Sequence, residues 1–292
     1  MTTKLKFLTV FLAYQQFGYF CLVSFIQKAL KFYVNSSLHV AVSVLSLCHI
    51  TLHFYETKPT MMLQIALFCA TVVGYNFVKY FGLAKFHYRS LTTKLKEIQR
   101  ISLLCAIGFL VVFFGLKLKV KIMLVVLGIV TFFYANPFET QTPIRKIKGV
   151  KVYIIATVWT FVTVLIPILD TDVPLQREVY LAMFERFILI LILMLPFEIR
   201  DLLFDDLKLS TIPQRIGVKN TKSLGYFGII LLALLMFYND AFSPTASSIL
   251  LLILLILALH KSDPKNNLNF TALWVEAIPI LWWLSILIFE ST

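Results

Sequence analysis

Pro196-Phe-Glu-Ile-Arg-Asp-Leu-Leu-Phe-Asp-Asp-Leu-Lys-Leu-Ser-Thr-Ile-Pro-Gln-Arg-Ile-Gly217 packs a dense patch of charge between two long apolar runs. Asp201 and Asp205 are four residues apart. On a helix that spacing sets both carboxylates on one face, one turn from each other. Such a pair suits a hard cation such as Mg2+, which is usually bound through one or two carboxylates plus substrate phosphates. Arg200, Lys208 and Arg215 are close enough in sequence to meet a phosphate directly. The plain alternative is a solvated loop helix, because like charges one turn apart cost only about 0.2–0.5 kcal/mol. Asp206 points elsewhere on the helical wheel and reads as solvated.

Outward from this patch the chain is oily. Of its 292 residues 59% are hydrophobic and 14% charged, with a mean hydropathy of +0.85. Soluble domains hold about 45–50% apolar residues by a count that includes Gly, so the chain reads as a polytopic membrane protein. Its net charge of +12 reads as the positive bias of cytoplasmic loops and contact with anionic lipid. Nucleic acid is not an expected partner. Cys21, Cys48, Cys69 and Cys105 each fall inside an apolar run with no zinc-like spacing, and read as packing residues.

Apolar runs of spanning or near-spanning length occur at about 37–55, 61–83, 100–116, 118–134, 151–169, 179–197, 222–239, 247–260 and 270–289. They predict an all-α bundle of nine transmembrane helices as one domain, 37–292. Residues 1–36 form an N-terminal apolar extension: an extra span, an interfacial helix, or a start placed too early. With nine spans, the loops 84–99, 135–150, 198–221 and 260–269 share one face. Their Lys/Arg excess puts that face in the cytoplasm of a cell-membrane protein. Lys117, Lys119 and Lys121 oppose this assignment, because they sit in a tight turn on the other side. The topology brings the segments around Asn76–Arg89, Tyr134–Lys151 and Asp201–Asp205 to one mouth of the bundle.

At these residues the chain resembles the UbiA-type intramembrane prenyltransferases. Asp201-Leu-Leu-Phe-Asp205 followed by Ser210-Thr-Ile-Pro-Gln-Arg-Ile-Gly217 is similar to the second aspartate-rich motif of that family and its trailing T-L-P-x-x-L-G, with the spacing one residue short. Tyr134-Ala-Asn-Pro137 resembles the family's Tyr-x-x-Pro, and Lys151 its basic residue at the start of the fifth helix. The resemblance spans about 37–289. It implies Mg2+ on Asp201 and Asp205, a polyprenyl diphosphate donor, and a hydrophobic aromatic or lipid acceptor. Asn76, Lys79, Arg89, Tyr134, Lys151 and Arg215 would contact the diphosphate.

The first family motif, Asn-Asp-x-x-Asp-x-x-x-Asp, is replaced here by Asn76-Phe-Val-Lys-Tyr-Phe-Gly-Leu-Ala84. The asparagine is present and all three carboxylates are gone. Lys79, Lys85 and Arg89 can bind phosphate without a metal. The chain is therefore read either as a prenyltransferase using fewer Mg2+ ions, or as a non-catalytic relative that binds an isoprenoid or a partner.

Other polar residues in the apolar runs have plainer readings beside the sharp ones. His49 and His53 are one turn apart and could hold a metal, but interhelical hydrogen bonding is the default. Glu185 and Arg186 point about 100° apart, so they do not simply neutralise each other, and Glu276 is a candidate partner for them. These same residues motivate a transporter reading, ranked last because no inverted repeat is evident.

Overall fold

The computed structural model describes residues 24, 26–86, 93–135, 149–203, 210–239, 245–265 and 270–290. Arg89, Asp205, Asp206 and Lys208, and the side chain of Lys85, lie outside the described residues. Helices α1 (Ile26–Asn35), α2 (Leu38–Phe54), α3 (Met61–Phe86), α4 (Thr93–Phe113), α5 (Leu118–Ala135), α6 (Lys151–Thr171), α7 (Arg177–Asp201), α8 (Ile212–Tyr238), α9 (Ala246–Lys261) and α10 (Phe270–Phe289) follow in chain order. Each of the nine expected apolar runs falls on a helix. Among the described residues six helices, α3, α5, α6, α7, α8 and α10, are long and apolar enough to cross a membrane by themselves. The count rises to seven if α1 and α2, bent by 64° at Ser36–Ser37, form one broken span. At 16 residues α9 is short for a span, and α4 begins with Lys94, Lys96, Glu97 and Arg100.

The helices close into a ring. In contact order it runs α2, α3, α5, α6, α7, α8, α9, α10 and back to α2, with α4 packed on α3. One apolar core joins α2 and α6 to α7–α10 through Leu47, Leu193, Leu232, Leu255 and Trp282. A second joins α2 and α6 to α3 and α5 through Leu52, Leu67, Val120 and Ile166. Outer faces carry Leu, Ile and Phe: Leu103 and Val111 on α4, Phe133 on α5, Phe227 and Phe237 on α8 are all exposed. In a soluble protein this would be an aggregation hazard; for a multi-pass membrane protein it is the lipid-facing surface.

Two helices are broken where proline removes a backbone donor. Pro167 cannot bond the carbonyl of Thr163, and α6 opens into a π-helical turn at Phe161–Leu165. The freed Thr163 carbonyl accepts from Thr51 Oγ1 of α2 at 2.8 Å. In α10, a π-helical Phe270–Val275 gives way at Glu276–Ala277 to the α-helical Ile278–Phe289, with Pro279 at its start. Here α2 supplies the partners again: His39 Nε2 lies 2.9 Å from the Leu273 carbonyl, and Ser43 Oγ donates to the Glu276 carbonyl.

The lysine turn that opposed the charge rule has a local explanation. Lys117 and Lys119 both bond the Asp172 carboxylate, Lys119 at 2.7 Å, and Lys121 Nζ caps the Phe114 carbonyl at 2.7 Å. These two cations hold the exposed Asp172 carboxyl at about 2, below its ordinary value. The single Asp172 carboxylate thus offsets one of the three positive charges and ties down two of the lysines.

The expected link from Glu276 to Glu185 and Arg186 is not formed. Glu185 Oε1 accepts from Asn239 Nδ2 at 3.0 Å. Arg186 donates to the Leu47 carbonyl and to Thr51 Oγ1, both at 3.1 Å. Glu276 sits at the opposite end of the bundle, near Lys79 and Arg200. The sequence distance between α7 and α10 gave no depth for either residue. His49 and His53 follow their default: His49 Nε2 lies 3.2 Å from Gln64 Oε1 and its ring stacks on Trp283, while His53 pairs with Glu290 at 3.8 Å.

Candidate functional site

The ends of α3, α5, α6, α7 and α10 meet at one mouth of the ring. On α3, Asn76 is buried and its amide is engaged within the protein. Its Nδ2 donates to the Ser36 carbonyl at 3.0 Å and to Ser102 Oγ at 2.9 Å, and its Oδ1 accepts from Ser37 Oγ at 2.8 Å. This one side chain fixes the α1–α2 bend against α3 and α4. One turn on, Lys79 is exposed. Its Nζ lies 3.5 Å from the Asn35 carbonyl and 5.3 Å from the ring centre of Tyr80, whose hydroxyl donates to that carbonyl at 2.8 Å. Both residues thus stand at the C-terminus of α1, where a helix leaves carbonyls without partners.

On α7, the charged patch turns out to be ordered by pairs. Arg200 grips Asp201 with two parallel bonds, Nε to Oδ1 at 2.6 Å and Nη2 to Oδ2 at 3.0 Å. Its Nη1 donates to Thr271 Oγ1 of α10 at 2.6 Å, and its guanidinium lies over the Phe197 ring. Two residues before Arg200, Glu198 is 1% exposed and pairs with Lys151 of α6 at 3.1 Å. Glu198 belongs to the charged patch, but nothing in its sequence neighbourhood marks it as a site residue. A buried glutamate becomes recognisable only once a cation is known to face it. Lys151 was that signal, since a lysine opening a membrane helix needs a counter-charge if it turns inward.

Behind these pairs lies an aromatic and acidic layer. Trp159 Nε1 donates to Tyr75 Oη at 2.7 Å. Tyr75 lies within electrostatic reach of Tyr134, which is buried at the end of α5, and of Glu276. Lys79, Arg200 and Glu276 are likewise within electrostatic reach of one another. Thus Asn76, Lys79, Tyr134, Lys151 and Asp201 come together at one end, while Arg215 is exposed on the first turn of α8, joined to them by no hydrogen bond or ion pair.

The Ser210–Gly217 segment has a structural role of its own. Thr211 and Gln214 form a reciprocal cap on α8, the Gln214 Oε1 accepting from Thr211 N at 2.9 Å, with Pro213 in the first turn. Gly217 then takes φ +77 and ψ 162, which breaks the helix after one turn. This conformation is open essentially to glycine alone. Gly149, also at positive φ, brings the chain before Lys151 against the Ser210 carbonyl, where an added Cβ would stand 3.8 Å away.

The donor set was tested against Mg2+. Both Asp201 oxygens are bonded to Arg200, and among the described residues no group of three or more His, Cys, Asp or Glu side chains could hold a metal. The described residues do not by themselves fit a Mg2+ centre. They fit an anion better, offering the exposed ammonium of Lys79 and the guanidinium of Arg200.

No protein-family model and no curated protein sequence matches the chain. Its architecture does match solved structures. An apo UbiA homolog from Aeropyrum pernix K1 aligns with a TM-score of 0.61 at 13% identity, over 85% of this chain and 97% of that one. A UbiA homolog from Archaeoglobus fulgidus, bound to GPP and Mg2+, aligns with a TM-score of 0.54, also at 13% identity, over 88% of this chain and 100% of that one.

Proposed function

The chain carries the UbiA fold, and from that premise we propose that it transfers a prenyl group from a polyprenyl diphosphate to an aromatic or lipid acceptor within the membrane. The observation that carries this reading is the meeting of Lys79, Arg200 and Lys151 at one mouth of a lipid-embedded ring. The fold counterpart from Archaeoglobus fulgidus is bound to GPP and Mg2+. We place this mouth on the cytoplasmic side, from the basic loops that flank it.

The chemistry assigned to these residues is electrostatic. The allylic C–O bond breaks with its electron pair leaving on the diphosphate. Lys79 and Arg200 stabilise that developing charge as positive groups already in place before the bond breaks. The edge-to-face pair Tyr75 and Trp159, with ring centroids 6.2 Å apart, is assigned to stabilise the allylic cation through its π electrons until the acceptor attacks it and loses a proton. No step is routed through Mg2+. If an ion takes part, Asp201 and Asp205 are the residues to hold it, and Arg200 would have to release Asp201.

A second reading, a non-catalytic isoprenoid-binding protein, is favoured by one observation. At the position of the missing first motif, Asn76 is engaged in holding helices together. Both readings are tested by binding of geranyl diphosphate and geraniol to wild type and Lys79→Gln across a Mg2+ titration, followed by a search for transfer. We expect Lys79→Gln to weaken geranyl diphosphate about tenfold or more and to leave geraniol unchanged. Diphosphate binding without transfer to any acceptor favours the second reading; no diphosphate binding at any Mg2+ level refutes the donor assignment.

A further inference from the structure

Within the inner cluster three cations, Lys79, Lys151 and Arg200, stand against three acids, Glu198, Asp201 and Glu276. Two of these pairs are closed, Lys151–Glu198 at 3.1 Å and Arg200–Asp201 at 2.6 and 3.0 Å. Glu276 differs from the other two acids. Its carboxylate makes no hydrogen bond or ion pair among the described residues, and it keeps part of its surface open. Even so it is placed firmly. Its own carbonyl accepts from Ser43, the neighbouring Leu273 carbonyl faces His39, and Thr271 in the same π-helical segment holds Arg200. The groups within electrostatic reach of it are Lys79 and Tyr75 from α3 and Arg200 from α7, with Tyr134 of α5 in reach of Tyr75, while His39 of α2 is engaged by the Leu273 carbonyl.

A carboxylate in a membrane span is expensive unless it has a function or a partner. A diphosphate entering this mouth also meets a difficulty. A phosphate monoester alone carries about −1.5 to −2 charges, and a diphosphate ester carries more. A balanced cluster offers it no net positive charge, and the unpaired Glu276 repels it across the same cations it needs.

We propose that Glu276 is the resident counter-anion of Lys79 and Arg200, and that a diphosphate donor takes its place as the Glu276 carboxylate takes up one proton. This rests on the donor reading above. The proton comes from bulk water through the open mouth and ends on a carboxylate oxygen; no other bond changes. Glu276 thereby sets the threshold for anion entry. It favours a multiply charged headgroup, which outcompetes one carboxylate for two cations, over a singly charged one.

The test is calorimetric binding of geranyl diphosphate to full-length protein in detergent at saturating Mg2+, in two buffers of different ionisation enthalpy. We expect wild type to take up close to one more proton than Glu276→Gln, and Glu276→Gln to bind about tenfold tighter. Geranyl monophosphate should gain more than geranyl diphosphate from the substitution. Equal or weaker diphosphate binding by Glu276→Gln overturns the proposal and leaves the donor reading standing. At a pH well above the diphosphate's own last pKa of about 6, where the free ligand has no proton left to release, the wild-type proton count requires no variant, and a count of zero overturns the proposal by itself. If wild type binds no geranyl diphosphate, the donor reading falls and this inference falls with it.

Discussion

Replacing Lys151 with Met tests how the mouth is held together. Glu198 is 1% exposed and its partner Lys151 is 27% exposed at 3.1 Å. Removing the ammonium leaves a carboxylate deep in a low-dielectric bundle without this cation. Breaking one partner of a buried pair typically costs 3–5 kcal/mol. Because Lys151 is partly open, the lower end applies, about 3 kcal/mol. At roughly 2–4 °C per kcal/mol for a chain of this size, the midpoint of thermal unfolding should fall by about 6–12 °C. Glu198→Gln alone should cost about 1 kcal/mol, since the lysine left behind can reach water. The double variant Lys151→Met/Glu198→Gln should recover most of the loss, a coupling of at least about 2 kcal/mol. Unfolding in detergent can be followed with a thiol-reactive dye, because Cys48 and Cys69 are buried and become reactive only as the bundle opens. A Lys151→Met midpoint within about 1 °C of wild type, or a double variant no better than the single, refutes the reasoning.

Two further outcomes follow from local geometry. Gly217→Ala should destabilise by about 1–3 kcal/mol although nothing lies within 4 Å of the added methyl, because the cost is in the backbone at φ +77; Gly128→Ala, equally unobstructed but at ordinary helical φ, should be neutral or stabilising by up to about 1 kcal/mol, and thermal unfolding separates the two. The Asp172 carboxyl, held at about 2 by Lys117 and Lys119, should show no titration between pH 5 and 3 in a 13C-carboxyl NMR series. Its folded value is depressed, so its contribution is present above the ordinary 3.8 and lost as pH falls through about 2; a midpoint near 3.8 rejects the clasp.

The helices were legible because each is an apolar run bounded by charge, and that pattern survives whatever the neighbours do. The convergence of Lys79, Tyr134, Lys151 and Asp201 was legible too, since counting spans assigns loops to faces. Partnership was not. Arg200 reads in sequence as a free phosphate ligand, but it closes on its own neighbour Asp201 and on Thr271, a residue 71 positions away. Asn76 looks like a ligand by motif position, yet its bonds go to Ser36, Ser37 and Ser102. Glu276 reads in sequence as a partner of Glu185 and Arg186 because all three are charges in oily runs. Depth along a helix decides which charges meet, and depth depends on tilt and on where a π-helical turn falls.

The hydrogen bonds from α2 to α6, α7 and α10 have a consequence for biogenesis. Leu47, Thr51, His39 and Ser43 answer the Arg186 guanidinium and the carbonyls of Thr163, Leu273 and Glu276. Each of those later helices would enter the bilayer with polar groups that lipid cannot satisfy. Because α2 is synthesised before them, its polar stripe is already in place as they emerge. In the finished ring each of these polar groups is satisfied only where its helix packs on that stripe.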